Sequence, residues 1–136
     1  MGIHSIIVIK NKKGEYLQYF DQRWNCYLFL NCKLPNGEDS EIVKEKISEA
    51  FNISTGKINV VLKGEKRHRK FSESAMKEKE YTHLFYEAKI GMVIEDKSFN
   101  INGIQYKWFS YSELLQDERI KKVNYDIIEY VKEFEM

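Results

Sequence analysis

Leu34-Pro35-Asn36-Gly37-Glu38 runs straight into an amphipathic segment, residues 39–53, that carries Glu41, Glu45 and Glu49 among lysines. A glycine-containing loop feeding a carboxylate-bearing helix is one way to hold metal ions against a diphosphate. Magnesium takes oxygen ligands, and the bound ion activates water and offsets phosphate charge. Glu38, Glu45 and Glu49 are the carboxylates available for that chemistry, the last two one helical turn apart. Glu–Lys pairing on a solvated helix face accounts for the same residues without a metal, and it is the favoured reading.

The surrounding pattern says what must position them. Residues 3–10 are rich in β-branched side chains and read as a strand. Asn11-Lys12-Lys13-Gly14 has hairpin-turn composition, and 15–20 returns as a second strand. After the polar break Asp21-Gln22-Arg23, residues 24–33 form a third strand. Cys26, Leu28, Leu30 and Cys32 share one face and Tyr27, Phe29 and Asn31 the other, which marks a central strand covered on both sides. Pro35 ends it. Asp39 or Ser40 caps the helix, Val43, Ile47, Ala50 and Phe51 recur at helical spacing, and Asn52 suits the left-handed C-terminal position. Residues 57–65 alternate as a strand, with Ile58, Val60 and Leu62 facing one way; 66–80 reads as a long polar loop or hairpin tip. Residues 81–90 form a clear strand, 91–100 reads as irregular, and 104–109 is a strand after the Asn102-Gly103 turn. Ser110 and Glu113 make a capping box for a short helix over 112–117, and a last helix covers 125–134. The order predicts an α/β fold, a mixed sheet with helices on both faces.

The bulk composition sets limits. The 136 residues suit one domain spanning 1–136. With 22 Lys+Arg against 21 Asp+Glu, the net charge of +1 argues against a surface built for duplex DNA. Cys26 and Cys32 lie on one strand with Cα atoms about 20 Å apart, beyond the disulfide limit of about 7 Å. They read as small buried apolar groups of a reducing compartment. The apolar run Ile6-Ile7-Val8-Ile9 is too short for a secretory signal, and no stretch approaches a membrane span. A cytoplasmic location is expected.

The element order, with a Gly-Glu loop and helix after the third strand, resembles the Nudix fold, an α/β/α sandwich. That family's box reads G-x5-E-x7-R-E-U-x-E-E-x-G-U, where U is bulky and aliphatic. With Ile47 and Ile53 on the two U positions, Asn52 stands at the glycine, Glu45 at the arginine, Lys46 at the first glutamate, and Glu49 with Ala50 at the glutamate pair. Gly37-Glu38 fits with the loop one residue shorter. A one-residue slide pairs Lys44-Glu45 with Arg-Glu but puts Lys46 and Asn52 on the aliphatic positions, so it is rejected. The box is degenerate: one helix carboxylate survives, and an ammonium stands where another belongs. The segments 24–30, 81–86 and 106–109, with Asn124-Tyr125-Asp126-Ile127 in the closing stretch, are similar to the SMODS-associated Nudix domain. That resemblance implies a place beside bacterial enzymes that make nucleotide second messengers in conflict systems, and it often goes with a degenerate box.

On this reading the chain is catalytically impaired and binds a small nucleotide-derived ligand; a protein of a second-messenger system is a further partner. No catalytic residue, metal ligand or cofactor is expected, and magnesium or manganese enters only if the chain is a hydrolase working through Glu38, Glu45 and Glu49. Candidate ligand contacts beside the helix and on the sheet are Arg23, Trp24, Lys33, Lys46, Glu49, His83 and Phe85, because aromatic faces stack bases and cations hold phosphates. Core is the favoured reading for Trp24, Phe85 and Trp108, and a packing role for His83. Lys66, Arg67, Arg69 and Lys70 belong to a basic run that reads either as a solvated loop or as a phosphate or RNA contact. A protein- or RNA-interaction module is the third reading.

Overall fold

A computed structural model describes residues 2–72 and 77–136. Seven strands form one sheet: β1 (Gly2–Ile9), β2 (Tyr16–Asp21), β3 (Cys26–Lys33), β4 (Ile58–Ser72), β5 (Lys77–Ile90), β6 (Ser98–Ile101) and β7 (Ile104–Phe109). Their order is β4-β5-β1-β3-β2-β7-β6, with β1 parallel to β5 and the other pairs antiparallel. The helices are α1 (Ser40–Phe51), α2 (Tyr111–Gln116) and α3 (Glu118–Glu133).

Alternation along the strands builds two cores. Ile7 and Ile9 of β1, with Leu30 of β3, pack against Val43, Ile47 and Phe51 of α1. Ile6 and Val8, with Phe29, face the other way onto Leu114 of α2 and Ile120, Ile127, Ile128 and Val131 of α3. The mixed sheet with helices on both faces is thus as expected, and β3 is the middle strand. Each fully buried aliphatic side chain contributes about 1.5–3 kcal/mol, so each of the three helices is held by its apolar face.

Helix α1 begins where Asp39 accepts bonds from the Glu41 and Ile42 amides, and ends at left-handed Asn52 (φ 54°). The Ser110–Glu113 capping box opens α2 as anticipated.

Four expectations need correction. The third strand starts at Cys26, because the Asp21 carboxylate accepts from the Arg23 and Trp24 amides (2.9 and 3.2 Å) and Asn25 turns left-handed (φ 52°), which leaves Trp24 in a turn. Residues 66–72 and 77–80 are not loop: they continue the β4–β5 ladder from Lys66↔His83 to Ser72↔Lys77. Polar sequence there is compatible with pairing because Lys66 and His68 are covered by α3; the tip at 73–76 lies outside the described residues. Residues 98–101 are strand β6, since Asn102 (φ 53°) and Gly103 (φ 80°) make the tight reversal that pairs them with β7. The last helix begins at Glu118, capped by Asp117, and bends at Asn124 (φ −132°), which hid its first turns from the apolar periodicity. A bulge between Leu62 and Gly64 leaves Leu62 exposed and brings Gly64 against the Phe134 ring.

Candidate functional site

Two cavities flank the middle of the sheet, one on each face, and Asn31 of β3 borders both. The α1-face cavity, about 400 Å³, is lined by Lys46, Glu49 and Ala50 of α1, Arg23, Tyr19 of β2, and Asn102, Ile104 and Tyr106 near β7. Its wall is a hydrogen-bonded chain. The Asn31 side-chain amide donates to the Tyr19 hydroxyl (3.1 Å), which donates to Asp21 (2.9 Å). Arg23 pairs with the same carboxylate at 3.5 Å. Burial pushes the Tyr19 hydroxyl up to about 12. Burial would also raise Asp21, but the bonds from Tyr19, the Trp24 amide and Arg23 outweigh it and hold that carboxyl below its ordinary value. Asp21 is therefore a buried anion that fixes the turn carrying Arg23 and Trp24.

The loop before α1 is anchored separately. The Tyr86 hydroxyl accepts the Asp39 amide (3.2 Å) and donates to Glu38 (3.4 Å), and burial pushes that phenol up to about 12.

On the opposite face, a cavity of about 510 Å³ lies between the sheet and α3. Arg119, Lys122, Asn124 and Asp126 approach from α3, His4 and His83 from the sheet, and Trp24 (53 % exposed) from the 22–25 turn. Arg119 donates Nε and Nη2 to the Trp24 carbonyl (3.1 and 2.6 Å), which ties the turn to the helix and fixes the guanidinium. The three histidines of the chain gather here. His68 Nε2 lies 2.9 Å from His83 Nδ1, His68 Nδ1 lies 3.9 Å from Asp126, and the His4 and His83 rings are 6.2 Å apart. Burial, then Lys33, pushes the His4 imidazole below its ordinary value.

The anticipated ligand residues therefore divide. Arg23, Lys46 and Glu49 meet in the α1-face cavity; Trp24 and His83 belong to the α3-face cavity. Lys33 is exposed beside a shallow hollow formed by Gly2, His4 and Pro35. Phe85 is corrected to core: it is fully buried, edge-on to Tyr130 and against Phe134, where it cannot face a ligand. The basic run does not form one patch, because strand alternation splits it. Lys66 bonds Glu133 (3.0 Å), Arg67 bonds Glu65 (3.2 Å), Arg69 stands opposite Glu80, and the side chain of Lys70 lies outside those described. Asn31, Tyr19, Arg119, Lys122, Asn124, His68 and Asp126 were not among the expected ligand contacts. Asn31, a polar residue on an otherwise apolar strand, was the one legible signal.

The donor set around α1 does not suit the divalent ion that the box implies. Glu49 is the carboxylate in the cavity lining, beside an ammonium and a methyl group, while Glu45 lies outside that lining and Glu38 is at Tyr86. Among the described residues, no three His, Cys, Asp or Glu side chains are grouped so as to hold a metal. No helix among them is long and apolar enough to cross a membrane.

No family model matches the sequence, and no curated protein matches it. Solved structures do resemble it throughout. An Ap4A hydrolase of C. elegans in a binary complex superposes with a TM-score of 0.66 at 13 % identity, over 99 % of this chain and 96 % of that one. A MutT protein of Methanosarcina mazei Go1 gives 0.64 at 19 %, over 98 % and 91 %. A Nudix hydrolase of Nitrosomonas europaea gives 0.60 at 14 %, over 98 % and 87 %. The chain has the fold of the Nudix hydrolases.

Proposed function

We propose that this protein recognises a nucleotide-derived ligand without hydrolysing it. The observation that carries the reading is the lining of the α1-face cavity, where Lys46 and Arg23 offer two cations and Glu49 one carboxylate. A phosphate finds partners there; a magnesium ion, which needs several oxygen ligands, finds an ammonium. The sheet offers such a ligand two places: the α1-face cavity, with Arg23 and Lys46 for its phosphates, and the α3-face cavity, where the exposed Trp24 indole presents a stacking face. Arg119 and Lys122 add positive charge on that side. The likeness to SMODS-associated Nudix domains supports a cyclic or linear product of a second-messenger enzyme as that ligand, in a bacterial defence setting.

Thermal-shift measurements against cyclic oligonucleotides, ADP-ribose and nucleoside diphosphates test this. Stabilisation by one class is expected, weakened by Lys46→Glu where the α1-face cavity holds the ligand and by Trp24→Ala where the α3-face cavity does. Absence of any shift across the panel would sink the reading.

A further inference from the structure

We propose that ligand binding in the α3-face cavity is proton-linked through the His68–His83 pair, so that an anionic ligand binds more tightly as the solution becomes more acidic; this rests on the ligand reading given above. The 2.9 Å contact between His68 Nε2 and His83 Nδ1 requires a proton on one nitrogen and a lone pair on the other. One extra proton fits on the pair, whereas a second puts two N–H groups and two charges face to face. The pair therefore titrates as a unit, its second proton opposed by the charge of the first.

Its surroundings tune that first proton. On α3, the Asp126 carboxylate lies 3.9 Å from His68 Nδ1 and favours the charged form, while Lys122 opposes it from the cavity rim. Tyr130 of α3 and Tyr81 of β5 flank the His68 ring at 6.2 and 6.3 Å. Lys66 of β4 is engaged by Glu133. On β1, His4 stands beside His83, with Lys33 of β3 near it. His83 and Asp126 line the cavity, so a phosphate-bearing ligand there brings negative charge to the pair and raises its hold on the proton. Reciprocity of linked equilibria then makes the proton strengthen ligand binding by the same factor.

Calorimetric titration of the full chain with ADP-ribose tests this, because its diphosphate diester holds a constant charge between pH 6 and 8. Runs in buffers of differing ionisation enthalpy report the protons taken up. The expected result is net uptake at pH 7 and binding about tenfold tighter at pH 6 than at pH 8, within the usual range of coupling. Uptake falls in His68→Gln, and Asp126→Asn shifts its pH window downward. Binding with no proton uptake by the unaltered chain overturns the linkage and leaves the ligand reading standing. Uptake undiminished in both variants overturns the assignment to this pair. Absence of ADP-ribose binding at either pH overturns the linkage and removes that ligand class from the reading as well.

Discussion

The Asn31 side-chain amide donates to the Tyr19 hydroxyl at 3.1 Å, at the place where the cavities on the two faces of the sheet share a wall. Through Tyr19 the bond reaches Asp21, and through Asp21 the turn that holds Arg23 and Trp24. A short polar chain inside an aromatic-rich sheet thus sets the positions of one cation and one stacking surface.

Removing the hydroxyl should be felt as stability. Tyr19→Phe keeps the ring but deletes a donor to a buried carboxylate, which the two remaining amides only partly compensate. A loss of about 1–2 kcal/mol is expected in urea unfolding. An unchanged midpoint and slope would contradict the role assigned to this chain of bonds.

Glu113 carries a pH signature. Hydrogen bonds from Lys97 and from the Ser110 amide lower its carboxyl to about 2. A carboxyl whose folded value lies below its unfolded one contributes stability that is complete above the unfolded value, near 4.5, and is lost as pH falls toward 2. Lys97→Met should therefore flatten the fall in melting temperature between those limits, and a fall as steep as in the unaltered protein would contradict the account.

Gly64 is required by close approach. A methyl group there would collide with the Phe134 ring, so Gly64→Ala must displace the ring that also packs on Phe85. A destabilisation of about 1–3 kcal/mol is expected. Combining it with Phe134→Leu should cost less than the sum of the two single changes. Simple additivity would show that the contact is not the cause.

Arg119 links α3 to the 22–25 turn through the Trp24 carbonyl. Arg119→Lys keeps the charge but cannot reproduce the planar fork. Nucleotide affinity should fall severalfold, and Trp24 emission should shift to longer wavelength as the turn loosens. Trp108 is buried away from that turn and keeps its emission, so a shift to longer wavelength reports on Trp24. Unchanged emission would rule out this positioning role.

How far the sequence could be read follows from where the determinants lie. Local chemistry was legible: the Asp39 and Asn52 ends of α1, the Ser110–Glu113 box and the two-faced apolar pattern of β3 all survive in the structure. Elements stabilised by remote contacts were not. Residues 66–72 have no strand-like composition; Lys66 and His68 are covered there by Tyr130 and Glu133 of α3 and by Phe134 just after it. The first turns of α3 are polar and interrupted at Asn124, so periodicity missed them. The site divided for the same reason: Arg23 and Trp24 are neighbours in sequence, yet a left-handed Asn25 and the Asp21 bonds send them to opposite faces.

Phosphorus-31 spectra of nucleoside diphosphates, ADP-ribose and cyclic oligonucleotides, recorded with the protein and excess magnesium, test the central claim most directly. Shifted or broadened resonances with no new line over prolonged incubation are expected: recognition without turnover. Accumulating phosphate or nucleoside monophosphate signals, abolished by Glu49→Gln, would show a working diphosphate hydrolase and contradict it.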